Sequence, residues 1–455
     1  MIHQFEHNGT YIVLDIASGA VHTVDEIAYI LCERLTPPLT DKYPQALLAA
    51  LEERFLPSDL KETYEELFQL YTNGTLFSDD QPLPASLIKP KDTPIKALCL
   101  HVSHDCNLRC KYCFAETGDF GTTRSLMSAD VAKAAIDFVI PRSQNRHNIE
   151  IDFFGGEPLM AWQTVKETVE YANEQAGLHQ KQFHFTLTTN GMLLNNEIID
   201  YINQNMDNIV LSLDGRKAVN DTMRITPNGS GSYNIILPKF KKLVESRSNN
   251  KDYYLRGTYT AKNLDFTADI MDIYANGFDQ ISIEPVVAES GCGYELKESD
   301  LPRIRKEYWN LAEKMLALDE RDEFLNFFHF NVDLDQGPCI IKRLRGCGAG
   351  CEYLAVTPEG DIYPCHQFVG DQKFLMGNLM DGTFDKGKAA QFAGVSVYSR
   401  EKCRDCWARF YCSGGCSASN YKANGDIDKS YELGCDLEKM RLEAAIYLAV
   451  KRAEA

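Results

Sequence analysis

The stretch Cys106-Asn107-Leu108-Arg109-Cys110-Lys111-Tyr112-Cys113 places three thiols in one loop, directly after the apolar run Ala97–Ser103. Thiolates are soft ligands that select iron–sulfur clusters, zinc or Cu(I). The CxxxCxxC spacing can bind three irons of a 4Fe-4S cluster and leave the fourth iron free for another ligand. A zinc site that includes Cys99 or His104 is the alternative. The spacing favours the cluster and leaves zinc open.

The region from residue 97 to about 290 alternates β-rich runs with helical patterns, which predicts an α/β fold with a parallel sheet in a partial barrel. Parallel strands of a barrel bring their carboxyl ends to one face, where ligand sites are built. The cysteine loop is therefore expected to share a site with the groups that end the later strands. The six predicted strands are Ala97–Ser103, Ile149–Gly155, Phe183–Asn190, Asn208–Asp214, Tyr254–Ala261 and Gln280–Val287.

Polar or glycine-rich motifs end four of these strands. We expect the pair Gly155-Gly156 to let a ligand approach the backbone, and Glu157 to accept a hydrogen bond from an ammonium group. Arg224 is a candidate partner for a carboxylate, with a surface salt bridge as the alternative. The four motifs are Phe154-Gly155-Gly156-Glu157-Pro158, Thr188-Thr189-Asn190-Gly191, Ser212-Leu213-Asp214-Gly215 and Ile283-Glu284-Pro285.

Length and charge narrow the class of protein. A chain of 455 residues suggests about two to four domains, and a net charge of −18 disfavours nucleic acid as a partner. No apolar run approaches the roughly 18 residues of a membrane span, and the first residues carry no basic and apolar export signal. We therefore expect a cytoplasmic protein with no membrane partner. Fifteen cysteines in such a protein indicate metal binding, because disulfides are rare in the cytosol.

Nine of the cysteines lie between residues 339 and 435. This region is poor in regular pattern, so metal is expected to substitute there for a large core. A Glu-Gly-Asp turn at 359–361 predicts a hairpin that presents Cys365. Two structural zinc sites are the alternative to iron–sulfur clusters. Four further cysteines, expected to be buried core thiols, fit no motif: Cys32, Cys99, Cys292 and Cys339.

Residues 1–78 predict a winged-helix module. Three short strands, at 4–7, 11–15 and 21–24, precede three helices near 25–35, 43–55 and 58–72. A proline-rich stretch then predicts a stiff linker. The predicted layout is a module at 1–78, a linker at 79–95, the partial barrel at 96–290, a helical bridging region at 291–338, a cysteine-rich domain at 339–435 and a closing helix at 436–455.

The cysteine loop, the Gly-Gly-Glu-Pro motif and the Ser-Leu-Asp-Gly stretch, in this order over residues 97–290, resemble the radical S-adenosylmethionine (SAM) superfamily. The resemblance implies that Cys106, Cys110 and Cys113 bind a catalytic 4Fe-4S cluster whose open iron chelates SAM. One electron then cleaves SAM to a 5′-deoxyadenosyl radical. The implied cofactor-binding residues are Tyr112, packing on adenine, with Gly155, Gly156, Glu157, Thr188, Asn190, Ser212, Asp214 and Arg224.

The downstream cysteines resemble the SPASM extension of radical SAM peptide-modifying enzymes, which binds two auxiliary 4Fe-4S clusters. With the SAM cluster, three clusters and SAM are the implied cofactors. The resemblance leaves Cys351 as a fourth ligand of auxiliary cluster I or as a spectator beside an open iron. It assigns Cys403, Cys406, Cys412 and Cys435 to auxiliary cluster II, and Cys347, Cys365 and Cys416 to auxiliary cluster I.

Residues 1–78 resemble the peptide-recognition element of enzymes that modify ribosomal peptides, in which the substrate's leader adds a strand to a sheet edge. A DNA-binding winged helix is the alternative, which the acidic charge disfavours. The three regions together resemble the maturases of SCIFF peptides, which join a cysteine sulfur to a side-chain carbon, often of threonine, as a thioether. The implied partners are a small Cys-rich precursor peptide and an external one-electron reductant of the flavodoxin or ferredoxin type.

Two other functions stay open at this point. An enzyme like the anaerobic sulfatase maturases would share the clusters but would oxidise a Cys or Ser side chain to formylglycine. The N-terminal module disfavours that function. A non-catalytic zinc or iron–sulfur winged-helix protein would need no SAM pocket, so the Gly-Gly-Glu-Pro motif and the six strands disfavour it.

Overall fold

The fold is given by a computed structural model that describes residues 1–80, 93–334 and 340–455. Most of the predicted linker, together with Cys339, therefore lies outside the described residues. Within these ranges, no helix is both long enough and apolar enough to cross a lipid bilayer.

A small antiparallel sheet begins the chain, as predicted. Its strands run in the order β1-β2-β3, and Asn8 and Gly9 make the first turn with positive φ angles of 49° and 76°. Asp25 caps the following helix by accepting from the Ala28 amide at 2.8 Å. The elements are β1 (Ile2–His7), β2 (Thr10–Asp15), β3 (Val21–Val24), α1 (Glu26–Arg34), α2 (Gln45–Ala49) and α3 (Pro57–Thr72).

The predicted helix at 43–55 is wrong in extent, because α2 spans only five residues. Its N-cap residue, Pro44, makes no side-chain hydrogen bond to the first turn. Past Ala49 the backbone continues in turns, where the Leu51 amide donates to the Leu48 carbonyl at 2.9 Å. Bonds from residue i to i−3 are the tighter 3-10 pattern, which rarely extends beyond a few residues.

Six parallel strands form the predicted sheet, in the order β4-β5-β6-β7-β8-β9, and their ends lie within two residues of the predicted ones. β4 is buried at each of its seven residues. The elements are β4 (Ala97–Ser103), α4 (Ala129–Arg142), β5 (Asn148–Gly155), α5 (Trp162–His179), β6 (Gln182–Thr189), α6 (Asn196–Asn205), β7 (Asn208–Ser212), α7 (Lys217–Met223), α8 (Tyr233–Glu245), β8 (Asp252–Tyr259), α9 (Phe266–Ala275), β9 (Gln280–Pro285), α10 (Leu301–Asp319) and β10 (Asn326–Phe327).

The cysteine-rich region extends this same sheet. β11 pairs in parallel with β4, from Tyr353 opposite Ala97 to Val356 opposite Leu100, and β12 and β13 add antiparallel strands to make ten in all. The elements are α11 (Ile340–Arg345), β11 (Tyr353–Val356), β12 (Asp361–Tyr363), β13 (Gly377–Asn378), α12 (Lys386–Ala393), α13 (Glu401–Arg404), α14 (Arg409–Cys412), α15 (Ser417–Asn424) and α16 (Glu432–Glu454).

This pairing confirms the hairpin before Cys365 and corrects the expectation that metal substitutes for a core throughout the region. Leu354 and Val356 of β11 are fully buried, and they belong to the same apolar core as the barrel strands. The closing helix is also corrected, because α16 begins at Glu432 and not at 436. Cys435 therefore lies in the first turn of a helix that packs along α10.

The N-terminal sheet packs on the rest of the chain through side chains of β1. The His3 ring stacks on the Trp407 indole, with centroids 3.7 Å apart and planes inclined by 2°. Its Nε2 atom lies 3.1 Å from a carboxylate oxygen of buried Glu443. A stacked aromatic pair contributes about 0.5–1.5 kcal/mol beyond the area that it buries. These contacts hold β1 against the segment that carries Cys406.

A second set of contacts lies at the other end of β1. His7 stacks on Trp309 with centroids 4.0 Å apart, and its Nε2 atom lies 3.0 Å from Oε1 of Glu313. Beyond α3, Asp80 makes an ion pair with the buried guanidinium of Arg409. The module is therefore a docked part of the molecule, which the predicted linker did not indicate.

Docking through β1 predicts that the module stays bound when the chain is cut. A protease site inserted between residues 81 and 92, and cleaved after folding, should leave the fragment 1–80 co-eluting with the remainder in size-exclusion chromatography. The double variant His3→Ala/His7→Ala should release the fragment, since it loses both stacked pairs. The variant of an exposed histidine, His179→Ala, is the control and should retain it. Release of the wild-type fragment would contradict the docked arrangement.

Candidate active site

The cysteine loop leaves β4 at Ser103 and is tied to the end of β5. The Gly156 amide donates to the Ser103 carbonyl at 2.8 Å, and the Glu157 amide donates to the Asp105 carbonyl at 2.9 Å. A Cβ atom at Gly155 or at Gly156 would lie 2.2 Å from one of these two carbonyl oxygens. The glycine pair therefore admits the backbone of the cysteine loop, and the approach of a ligand to the same backbone stays a prediction.

Glu157 is buried and joins the ends of β5 and β6. The Thr189 hydroxyl donates to its Oε1 atom at 2.7 Å, and the Asn190 amide donates to Oε2 at 2.8 Å. Burial raises the pKa of this carboxyl to about 7, although the hydrogen bonds lower it. Both oxygens thus accept from this chain, and the side chain orients the end of β6. A contact of Glu157 with an ammonium group stays a prediction.

Asn190 reaches from the end of β6 to the cysteine loop. Its Nδ2 atom donates to Oδ1 of Asn107 at 2.8 Å and to the sulfur of Cys106 at 3.6 Å, and the Leu108 amide donates to the same sulfur at 3.4 Å. Burial raises the pKa of the Cys106 thiol to about 12. Donors aimed at sulfur favour the thiolate, which is the form that binds metal. Metal binding must supply the remaining free energy of deprotonation.

A polar triad of buried Asp214, buried Arg224 and partly buried Tyr112 adjoins the loop on its other side. The Tyr112 hydroxyl donates to both carboxylate oxygens of Asp214, at 2.8 and 2.6 Å, and Nε of Arg224 donates to Asp214 at 3.0 Å. The guanidinium lies over the Tyr112 ring, 5.5 Å from its centroid. Arg224 is 9% exposed, so the surface salt bridge considered as the alternative is wrong. Its positive charge also acts on the thiol of Cys110.

The segment after α7 fixes this triad to the loop. The Lys111 amide donates to the Met223 carbonyl at 3.0 Å, and the Arg109 amide donates to the Ile225 carbonyl at 2.6 Å. Thr188 and Ser212 are half-buried and alternate with buried residues along β6 and β7, so both face the open side of the sheet. Five of the predicted SAM-site residues thus contact the cysteine loop or one another, and their contacts with SAM stay predictions. The five are Tyr112, Glu157, Asn190, Asp214 and Arg224.

Four downstream cysteines surround one cavity of about 420 Å³. They approach it from α13, α14, the first turn of α16 and the loop between α13 and α14, and Trp407 and Arg409 line the same cavity. This donor set suits an iron–sulfur cluster, because four thiolates can each bind a different iron of a cube. The four are Cys403, Cys406, Cys412 and Cys435.

The thiol groups of three further cysteines are close enough to interact electrostatically. They are Cys347, Cys365 and Cys416. Cys351 is buried, as Cys365 is, and its thiol donates to the Gly348 carbonyl at 3.5 Å. A hydrogen bond to the Cys351 carbonyl from Thr93, at 3.3 Å, fixes its backbone. The two roles considered for Cys351, a fourth ligand of auxiliary cluster I or a spectator, stay predictions.

The unassigned cysteines are partly as expected. Cys32 and Cys99 are buried, but Cys292 is exposed and its thiol donates to Oε2 of Glu295 at 3.5 Å, so a core position for Cys292 is wrong. Its neighbours Gly291 and Gly293 form a turn on the same carboxylate, which explains why this segment stays at the surface. Among the described residues, no three or more His, Cys, Asp or Glu side chains are placed to hold a single metal ion, as a zinc site requires.

Comparison with known proteins supplies the family. The Radical SAM superfamily model matches residues 100–276, and the model of the SPASM iron–sulfur cluster-binding domain matches residues 347–407. The chain carries an α/β radical SAM domain followed by a SPASM domain. It is therefore a radical SAM enzyme, which uses SAM and iron–sulfur chemistry. A non-catalytic metal-binding protein is excluded.

Related proteins align with this chain over most of their length. The chain is 26% identical to the radical SAM cyclopropyl synthase TigE of Paramaledivibacter caminithermalis, covering 77% of this chain and 74% of the relative. It is 24% identical to the cysteine-type anaerobic sulfatase-maturating enzyme of Clostridium perfringens strain 13, covering 74% and 93%.

Two solved structures share the fold. The structure of anSMEcpe with bound AdoMet superimposes with a TM-score of 0.64 at 21% identity, covering 79% of this chain and all of that one. Streptococcus suis SuiB bound to the precursor peptide SuiA gives a TM-score of 0.53 at 16% identity, covering 95% and 98%. At these identities the likeness concerns the fold.

The tight contact at Gly156 predicts the effect of adding one methyl group there. Gly156→Ala should displace the cysteine loop, so the anaerobically reconstituted variant should hold about four fewer irons per chain and lose SAM cleavage. Gly177→Ala is the matched control, because its new Cβ atom meets nothing within 4 Å. Iron and sulfide analysis with a SAM-cleavage assay measures both effects. Full iron content and wild-type cleavage in Gly156→Ala would contradict this packing.

Proposed function

We propose that the protein is a peptide maturase that joins the sulfur of a substrate cysteine to a side-chain carbon, often of threonine, in a small Cys-rich precursor peptide. The observation that carries this proposal is the contact between the cysteine loop after β4 and the segment that follows Cys365. We call these segments the two cysteine regions. Phe114, directly after Cys113, and His366, directly after Cys365, lie with ring centroids 5.4 Å apart. A peptide segment along these rings would present a carbon to the first region and a sulfur to the second.

Three 4Fe-4S clusters and SAM are the cofactors that the thiol sets support. With its cluster and SAM bound, the first site supplies a 5′-deoxyadenosyl radical from one-electron cleavage of SAM. The other two sets would hold one auxiliary cluster each. The ligands would be Cys106, Cys110 and Cys113 for the first site, Cys403, Cys406, Cys412 and Cys435 for the second, and Cys347, Cys365 and Cys416 for the third.

The SAM pocket would lie beside the cysteine loop, on the open face of the sheet. Glu157 holds the end of β6 in place, and the Asp214 carboxylate fixes both Tyr112 and Arg224 before SAM arrives. A ring fixed in this way is preorganised to pack on adenine. Thr188, Asn190 and Ser212 would supply polar contacts, and the backbone of Gly155 and Gly156 would border the pocket.

In this reaction each thioether removes two hydrogens from the peptide. The hydrogen on the acceptor carbon goes to 5′-deoxyadenosine, and the thiol proton goes to solvent. Forming the carbon–sulfur bond releases one electron. An external carrier of the flavodoxin or ferredoxin type would supply the electron that cleaves SAM and could take back the one released, so the electrons balance.

Residues 1–78 would bind the leader of the peptide. β1 is packed on the catalytic body, and the strand order places β3 at the opposite edge of the small sheet. A leader strand would add to that edge, where main-chain hydrogen bonds give affinity. The reducing cytoplasm, which keeps thiols free, is the compartment that suits both the substrate and the electron carrier.

A second candidate is formylglycine formation, as in the sulfatase maturases. It is supported by the 24% identity to the Clostridium perfringens enzyme and by the shared fold of anSMEcpe. The two reactions differ in the fate of sulfur, because formylglycine formation from cysteine removes the sulfur and thioether formation keeps it in the peptide.

The deciding experiment is anaerobic incubation of the reconstituted enzyme with SAM, a reductant and a synthetic small Cys-rich precursor peptide that includes a leader. We expect each link to lower the peptide mass by one pair of hydrogens and to protect one thiol from alkylation. The triple variant Cys106→Ala/Cys110→Ala/Cys113→Ala should give neither product nor 5′-deoxyadenosine. Loss of sulfur from the peptide would support formylglycine formation, and cleavage of SAM by the triple variant would overturn the radical assignment.

The third thiol set predicts different roles for two neighbouring cysteines. Cys347→Ser should lower the iron content by about four atoms per chain, because it removes a ligand of a labile cluster. Cys351→Ser should keep the full iron content, because that thiol faces the Gly348 carbonyl. Iron analysis and electron paramagnetic resonance spectra of the two variants measure this difference. Equal iron loss in both variants would make Cys351 a ligand.

A further inference from the structure

Lys422 spans the gap between the two cysteine regions. It lies on α15, which begins directly after Cys416, and its ammonium nitrogen sits 5.6 Å from the ring centroid of Phe114. Phe114 is 38% exposed, and Phe154 from the end of β5 stacks beside it with centroids 6.3 Å apart. A side chain of the SPASM domain thus reaches the edge of the radical SAM loop.

The charge of Lys422 has no ion-pair partner in the part of the chain that the structure describes. Its ammonium donates to the neutral amide oxygen of Gln367 at 2.9 Å. The ammonium group interacts electrostatically with the thiols of Cys416 and Cys365. It also interacts electrostatically with the carboxylate of Glu289, but the two groups form no ion pair.

Arg256, a second cation that acts on His366, is already neutralised. Arg256, from β8, pairs with Glu284 of the neighbouring strand β9, and both groups act electrostatically on His366. Of these two described cations, Lys422 is therefore the one that is available to an incoming anion. An anion paired with it would lie beside the ring of Phe114, which contacts the ring of His366.

We propose that Lys422 is the positioning residue for the donor cysteine of the peptide substrate, and that its ammonium group pairs with the substrate thiolate. This inference rests on the proposed function and deepens it by naming how the sulfur is placed. A cation beside a thiol favours the thiolate and orients it. The thiol proton leaves to solvent, and Lys422 remains protonated throughout. Phe114 and His366 form the apolar wall along which the acceptor residue lies.

The test compares Lys422→Gln and Lys422→Arg with wild type, all reconstituted anaerobically. The control is Lys386→Gln, which removes one charge from an exposed lysine elsewhere in the same domain. Three quantities are measured: iron content, the yield of crosslinked peptide per 5′-deoxyadenosine, and the dissociation constants of the substrate and of its Cys→Ser analogue. A hydrogen bond to a charged group corresponds to roughly 10-fold to 100-fold in such a ratio.

Lys422→Gln should lower the crosslink yield per 5′-deoxyadenosine by about tenfold or more, with unchanged iron content and continued SAM cleavage. Lys422→Arg, which keeps the positive charge, should retain most of the wild-type yield. In wild type the peptide should bind more tightly than its Cys→Ser analogue, and Lys422→Gln should abolish that difference.

Three results would overturn the inference. They are a wild-type yield in Lys422→Gln, loss of iron from that variant, and a preference for the cysteine peptide that persists without the ammonium. Loss of iron would mean that Lys422 stabilises the cysteine site itself. Failure of the wild-type enzyme to crosslink any peptide would instead overturn the proposed function, so the two failures are distinguishable.

Discussion

The pairing of β4 with both of its neighbours is the constraint on which the rest of the structure depends. β4 is buried along its whole length, with β5 on one side and β11 on the other, both in parallel register. The first cysteine loop leaves its carboxyl end, and β11 leads into the hairpin that carries Cys365. One strand thus sets the relative positions of the radical SAM loop and the SPASM cysteines.

The cysteine loop that follows β4 packs closely against the end of β5, and this contact positions the residues of the candidate site. Gly155 and Gly156 allow two backbones to approach more closely than any side chain would permit. The approach brings Glu157 beneath β6, and the buried carboxylate then orders Asn190 against Cys106. Buried polar groups of this kind are costly unless each is satisfied, so a fully bonded network holds one geometry. In the same arrangement, the ring of Phe114, after Cys113, contacts the ring of His366, after Cys365.

Much of this architecture follows from periodicity and motif. The six strands and the N-terminal hairpins are local or ordered patterns that a sequence displays directly, whereas the division of the cysteines into sets came from the family resemblance. The burial of Arg224 is different, because a lone arginine in sequence looks the same whether it forms a surface salt bridge or a buried triad. Its partner Asp214 was predicted as a residue at the end of a strand. The contact between Arg224 and Asp214 depends on how α7 packs, which the sequence pattern does not show.

Contacts between distant segments could not be predicted for the same reason. β11 has four residues, too few to display a period, and its partner lies in another domain. The stacking of His3 on Trp407 joins two modules whose individual patterns say nothing about each other. The closing helix was predicted to begin at 436, after Cys435, whereas it begins three residues before the cysteine. Lys422 had no motif, and only its position beside two thiols and Phe114 distinguishes it from a surface lysine.

The central claim is that a radical formed at the first cysteine loop abstracts hydrogen from a side-chain carbon of the peptide. The sulfur of the substrate cysteine lies beside that carbon and bonds to it. The most direct measurement uses a precursor peptide whose acceptor side chain carries deuterium. Mass spectrometry should find the deuterium in 5′-deoxyadenosine, and the peptide should lose one deuterium and one hydrogen while keeping its sulfur. Deuterium that stays in a crosslinked peptide, with unlabelled 5′-deoxyadenosine, would contradict the account.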